Sequence, residues 1–149
     1  MIRKANVGDV KQIQKLVNMY ANENKMLSRS LNNIFETIRD FYVYIEADKL
    51  IGCCALHVVW EDLAEVKALA VAREFSGKGI GKMLVNSCIE ESKTLGIKNV
   101  FSLTYIKDFF VKLGFKEITR EELPHKVWSE CIHCPKFPDC DEIAVLKKL

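Results

Sequence analysis

With 149 residues, 49% of them hydrophobic and 28% charged, the chain has the size and composition of one globular domain over 1–149, able to bury ~68% of its unfolded surface without a staple. Its 22 basic and 20 acidic residues interleave and leave a net charge of +2, so no polyanionic partner is indicated and nucleic acid is set aside. The opening MIRKANVGDV lacks the apolar core of a signal peptide, and no segment approaches ~18 uninterrupted apolar residues, so the expectation is a soluble, cytoplasmic protein with no membrane partner.

From Gly8 to Ala21, the residues Val10, Ile13, Leu16, Val17 and Tyr20 recur at helical spacing, with Asp9 as the expected cap. The polar NENKMLSRSLNN reads as a loop, and NIFETIRDF as a further turn or two of helix. FYVYIE and LIGCCALHVV are β-rich, and their separation by Ala47, Asp48 and Lys49 predicts a hairpin. In LAEVKALAV, alternation puts Leu63, Glu65, Lys67, Leu69 and Val71 on one face and Ala64, Val66, Ala68 and Ala70 on the other. Both faces are mostly apolar, as in a central strand.

The stretch REFSGKGIGKML follows, opening a helix whose Ile80, Leu84, Cys88, Ile89, Ser92 and Leu95 share one side and which stops at Gly96. NVFSLT is a strand, KDFFVKL a short helix stopped by Gly114, FKEIT a strand, and EIAVLKK the closing strand after a Cys- and Pro-containing segment. This order gives an α/β domain with a mixed sheet. His57 and Trp60 read as strand and loop packing.

The glycine loop is not a P-loop, because Ser76 stands where the first glycine belongs and Met83 where the hydroxyl belongs. It is not the dinucleotide fingerprint either, since Lys82 and Leu84 occupy the positions of its last glycine. A strand, a glycine-rich turn and a helix remain, an arrangement that converges backbone N–H groups on an anion such as pyrophosphate, with Lys78 and Lys82 adding charge.

SGKGIG in that setting resembles the acetyl-CoA signature of the GNAT acetyltransferases, with Ser76 at the first position and Gly79 and Gly81 as its glycines. RKANVGDVKQIQKL at the start and FFVKLGF, in place of the family's aromatic-Tyr-x-x-x-Gly-Phe, extend the likeness over nearly the whole chain. The resemblance implies a central, mostly antiparallel mixed sheet flanked by helices, with two parallel strands splayed apart in the middle. It implies acetyl-CoA as cosubstrate, its arm between LAEVKALAV and NVFSLT. Leu69, Ala70 and Val71 would present backbone groups to that arm, and Ser76, Gly77, Lys78, Gly79, Ile80, Gly81 and Lys82 would meet the phosphates. Phe110 takes the cofactor-side position of the tyrosine that in many relatives protonates the leaving thiolate; a thiol of ordinary pKa near ~8.5 can leave without that acid.

AEVKALAV, FSLTYIKDFF and REELP resemble the acetyltransferase domain of N-acetylglutamate synthases, and HKVWSECIHCPKFPDCDEIAV its stand-alone short form. The implied acceptor is a small amine, L-glutamate, and the implied setting arginine biosynthesis. No amino-acid-kinase-like domain fits within the chain, so feedback by arginine is not expected. Transfer to an α-amine needs a proton acceptor, an oxyanion donor and cations for the acceptor's carboxylates. Glu65 is the nominated base, through a water; a backbone N–H near Leu69 or Ala70 is the oxyanion donor. Arg29 resembles the arginine that grips the acceptor's carboxylate, a task suited to a guanidinium fork, and Lys67 is a second candidate cation. Thr104 would bond the substrate or the sulfur. The other readings of these residues are a surface charge or ion pair for Glu65, a solvated loop arginine and an ordinary strand threonine.

Six cysteines without a secretory context do not make a disulfide framework. Cys53, Cys54 and Cys88 fall in apolar runs. Cys131, Cys134 and Cys140, with His125 or His133, have spacing compatible with structural zinc, with reduced thiols packing a Pro-rich loop or an adventitious disulfide as the alternatives. A homodimer, another acceptor amine, and a non-catalytic acyl-CoA-binding or zinc-organised module stay open.

Overall fold

Residues 1–23, 25–26, 28–123 and 142–149 are described by the computed structural model. Its elements are β1 (Ile2–Lys4), α1 (Val10–Ala21), α2 (Leu31–Glu36), β2 (Phe41–Glu46), β3 (Lys49–Trp60), β4 (Leu63–Val71), α3 (Ile80–Thr94), β5 (Asn99–Thr104), α4 (Lys107–Lys112), β6 (Lys116–Ile118) and β7 (Ile143–Lys148). Among the described residues seven strands make one sheet in the order β1-β2-β3-β4-β5-β7-β6, and of their pairings the central β4–β5 is the parallel one.

The helical stripes cover both faces. Val10, Ile13 and Val17 of α1, with Ile34 of α2, pack on Phe41, Val43, Cys53, Ala55 and Ala70. On the opposite face Ile80, Leu84, Val85, Cys88 and Ile89 of α3, with Phe110 of α4, pack on Cys54, Leu56, Ala64, Val66, Val100 and Val145. Two-sided burial explains why the central strands read as nearly continuous apolar runs. Leu95 departs from its expected place, since it lies past the helix end and is 55% exposed.

The β2–β3 hairpin closes in two residues, because Lys49 already pairs with Glu46. Ala47 and Asp48 both take positive φ (49° and 62°), as the tight turn between right-twisted strands requires.

Asp9 does not act as the expected cap. The helix starts at Val10, and the turn before it is capped by Asn6, whose Oδ1 accepts from the Gly8 N–H at 2.9 Å. The Asp9 carboxylate instead accepts from Arg3 at 2.7 and 3.0 Å and from the Asn6 N–H at 2.8 Å. The Arg3 hydrogen bond holds this carboxyl below its usual range, against the opposing effect of burial. A carboxyl whose folded pKa is depressed contributes stability fully present above its unfolded value, near ~3.9, and lost as pH falls through the folded value. Asp9→Asn should therefore cost about 1–3 kcal/mol at neutral pH. It should also flatten the decline of stability in acid, below about pH 4, measured by urea unfolding across a pH series. Equal stability of the two proteins at neutral pH would refute the assignment.

Candidate active site

The site is built on β4, which within a few residues parts from one neighbour and bulges against the other. On one edge the parallel ladder to β5 runs only through Leu63–Asn99, Ala64–Val100 and Glu65–Phe101. Beyond Glu65 the strands part, and the Ser102 hydroxyl donates to the Val66 carbonyl at 2.8 Å. On the other edge Ala55 pairs with Lys67 but Cys53 with Ala70, so β4 carries one extra residue there. Ala68 has φ 55° in this bulge, the only positive φ of a non-glycine described residue outside the hairpin turn. Burial drops at the same place: Lys67, Ala68 and Leu69 are half-buried between buried Val66 and buried Ala70.

The bulge overturns the simple alternation expected along LAEVKALAV. Ala64 and Val66 face α3, and after the bulge Leu69 and Val71 face it too. Ala68 and Ala70 share the α1 face. Directly paired residues lie on one face, so Lys67 opposite Ala55 is on the α1 side, and period two adds Glu65 opposite His57.

Backbone direction follows from the β3 ladder. The Ala72 N–H donates to Ile51 O at 2.7 Å, and the Ala70 N–H bonds the Cys53 sulfur. The backbone groups of Leu69 and Val71 alternate with these and point into the gap left by β5, whereas Ala70 is turned toward β3. The Val71 carbonyl is bonded by the Tyr20 hydroxyl of α1.

The gap leads to the glycine turn. Gly77 and Gly79 have φ 76° and 81°, and a Cβ at either would meet nothing within 4 Å, so the space above the turn is open. Gly79 is the N-cap of α3 and no side chain caps that end, which leaves the first-turn N–H groups facing outward at the positive end of the dipole. Lys82 is exposed, and Lys78 sits over the Phe75 ring at 5.1 Å. Ser76 is in extended backbone just before the turn, and the Ile80 side chain is buried, so Ile80 can offer only its backbone here. Phe110, expected at the cofactor, is 2% exposed and packs edge-on against Phe115 and Phe109. The ring beside the turn is Phe109, 3.4 Å from where a Gly81 Cβ would be. Two adjacent phenylalanines gave the sequence no means of telling which one turns outward.

On the α1 side of the fork stand the polar groups. Glu65 is 9% exposed. Opposite it, His57 has Nδ1 3.0 Å from an Asp40 oxygen, a pair that sequence reading missed because Asp40 is distant in the chain. The Arg29 backbone is fixed: its N–H donates to Asn18 Oδ1 at 3.0 Å, and its carbonyl accepts from Gln14 at 3.1 Å. Its guanidinium donates to Asn33 at 3.1 Å. It also lies near enough to Cys53 to oppose the effect of burial, which still pushes that thiol up to about 12. The Thr104 hydroxyl accepts from the Ile106 N–H at 2.9 Å at the end of β5.

Cys53, Cys54 and Cys88 are wholly buried, and Cys54, beside the Cys88 sulfur at 3.8 Å, is held well above the usual thiol range. None of the described cysteines is placed to act as an acyl-carrying nucleophile. His125, Cys131, His133, Cys134 and Cys140 lie outside the described residues. Among the described residues no group of three or more His, Cys, Asp or Glu could hold a metal ion, and no helix is long and apolar enough to cross a membrane.

Residues 37–117 match the acetyltransferase (GNAT) domain family. The chain is 43% identical over 148 residues to an uncharacterized N-acetyltransferase of Chlorobaculum tepidum, covering 99% of this chain and 96% of that one. It is 35% identical over 133 residues to an amino-acid acetyltransferase of Mycobacterium tuberculosis, covering 87% and 76%. Among solved structures, a Mycobacterium tuberculosis protein in complex with CoA superposes with a TM-score of 0.86 at 30% identity, covering 100% of this chain and 99% of that one. An N-acetylglutamate synthase from Neisseria gonorrhoeae, complexed with coenzyme A and N-acetyl-glutamate, gives 0.92 at 24% identity. The match covers all of this chain and 35% of that one, and bears on the fold alone.

Proposed function

This chain belongs to the GNAT family of N-acetyltransferases, and from that premise we propose that it moves the acetyl group of acetyl-CoA to the α-amine of L-glutamate. Acetyl-CoA is the cosubstrate of the family. The observation that carries the acceptor reading is the placement of Glu65 and Lys67 on one face of β4 at the fork, with Arg29 held over the same face. One carboxylate and two cations suit an acceptor with an ammonium to deprotonate and two carboxylates to hold. The amino-acid acetyltransferase of Mycobacterium tuberculosis among the relatives supports the same reading.

In this reading the arm of acetyl-CoA lies in the gap between β4 and β5, and its pyrophosphate on the turn from Gly77 to Lys82. Glu65 takes a proton from the acceptor ammonium through a water. The freed amine attacks the thioester carbonyl, while a β4 backbone N–H facing the gap bonds the developing oxyanion. Collapse of the tetrahedral species breaks the C–S bond, and the extra proton on the attacking nitrogen passes to the departing sulfur or to water, which leaves coenzyme A and the N-acetylated amino acid. Arg29 and Lys67 hold the acceptor's carboxylates, and Thr104 bounds the site at the end of β5. Direct attack fits the burial of Cys53, Cys54 and Cys88.

The test is loss of the acetyl-CoA thioester, followed by chromatography, with L-glutamate against a panel of amino acids, polyamines and a peptide N-terminus. Saturable consumption with glutamate, at least about tenfold more efficient than with any other acceptor, is the expected result; this corresponds to ~1.4 kcal/mol of discrimination. Preference for another amine would replace the acceptor, and no consumption with any amine would turn the reading toward an acyl-CoA-binding module.

A further inference from the structure

Where β4 parts from β5 and bulges against β3, its carbonyls are not left to solvent. Three side chains from three elements donate to them in turn. Ser102 of β5 bonds Val66 O at 2.8 Å, the Cys53 thiol of β3 lies 3.4 Å from Ala68 O, and the Tyr20 hydroxyl of α1 bonds Val71 O. Ser102 is 4% exposed and Val66 is fully buried, so this hydroxyl substitutes for the ladder bond that the departing strand would have made. The Cys53 thiol stays protonated because burial raises it, and remains a donor, although a weak one.

We propose that Ser102, Cys53 and Tyr20 are positioning residues that fix the curved backbone of β4 and thereby aim the Leu69 and Val71 N–H groups at the acetyl-CoA arm. The inference rests on the reading of β4 as the cosubstrate wall. Three donors spread over the stretch from Val66 to Val71 bracket those two residues and the strained Ala68, so the wall is held at its start, at its bulge and at its end. A backbone held only by the sheet would either zip further along β5, closing the gap, or relax at Ala68, turning the N–H groups away. Preorganised donors act without a reorganisation cost when the ligand arrives, and that advantage depends on the side chains that hold them.

A matched control exists in the same molecule. Ser92, fully buried in α3, donates to Cys88 O at 2.8 Å, the same chemistry away from the gap. Ser102→Ala should lower the melting temperature more than Ser92→Ala, because Cys88 O keeps its helical N–H partner when the Ser92 hydroxyl is lost, while Val66 O is left without its donor. Coenzyme A affinity, measured by isothermal titration, should fall about 5- to 20-fold in Ser102→Ala and stay within twofold in Ser92→Ala. The KM for acetyl-CoA should rise in parallel, and Ser102→Thr, which keeps the hydroxyl, should recover most of the affinity. Tyr20→Phe, which deletes one oxygen at a half-buried position, should show the same loss of affinity on a smaller scale if Ser102→Ala does not fold. Wild-type affinity in a folded Ser102→Ala or Tyr20→Phe protein, or an equal loss in Ser92→Ala, would overturn the proposal. Failure of the wild-type protein itself to bind coenzyme A would instead overturn the cosubstrate reading, and the proposal with it.

Discussion

Glu65→Gln should bind coenzyme A with wild-type affinity while losing about 10²- to 10⁴-fold in turnover with saturating L-glutamate, the range a positioned proton acceptor contributes. Glutamine preserves the length of the side chain and its place opposite His57, and removes the charge and with it the capacity to take a proton. The substitution also separates proton transfer from shape. Glu65 is 9% exposed on a strand paired along both edges at that residue, so a change that disturbed packing would be felt at the fork as weaker coenzyme A binding. Loss of both properties would make the carboxylate a structural ion-pair member, and unchanged turnover would remove it from the chemistry. His57, held by Asp40 beside Glu65, is the next residue to vary in the first of these cases.

Arg29→Gln should raise the KM for glutamate about 10- to 100-fold with a much smaller effect on kcat and none on coenzyme A affinity. The magnitude is that of a hydrogen bond to a charged group lost from a bound carboxylate. The main chain at Arg29 is secured by Asn18 and Gln14, so the loop keeps its course when the side chain changes. Arg29→Lys should restore part of the affinity, because an ammonium supplies charge without the planar fork. A neutral amino acid, tested beside glutamate, should gain relative efficiency in the glutamine variant. Equal losses for charged and neutral acceptors would mean that Arg29 shapes the loop rather than reading a carboxylate.

The succession of strands and helices was legible because each element carries its own period. The turn at Gly77–Gly79, the stops at Gly96 and Gly114, and the two-sided burial of the central strands all follow from residue type. The course of β4 was not legible, because its bulge turns at an alanine. A glycine at position 68 would have announced the positive φ; an alanine held there by tertiary contacts leaves no mark, and the faces of Leu69 and Val71 were misread in consequence. Capping showed a similar limit. Asp9 has the right chemistry for an N-cap and stands at the right place, yet Arg3 from β1 claims its carboxylate and Asn6 takes over. Glu65 and Lys67 share one face of β4 at the fork, whereas Ser102, Tyr20, Asp40 and His57 meet β4 or its neighbours only through folding. Nothing local in the chain distinguishes them from other polar residues.

The position of β7 between β5 and β6 bears on the order in which the molecule can assemble. β2, β3 and β4 follow one another along the chain and join as neighbours, with a tight turn closing the first pair. β5 then gains its outer partner only when Ile143–Lys148 arrives, and among the described residues β6 has no other neighbour in the sheet. The half of the cleft made by β5 is therefore completed last, once contacts distant in the chain have been made, while the half made by β4 can form from early and local contacts. During refolding, the β5 side of the gap should mature later than the face of β4 that carries Glu65 and Lys67, and a chain caught between those steps would expose the unpaired edge of β5 to its neighbours.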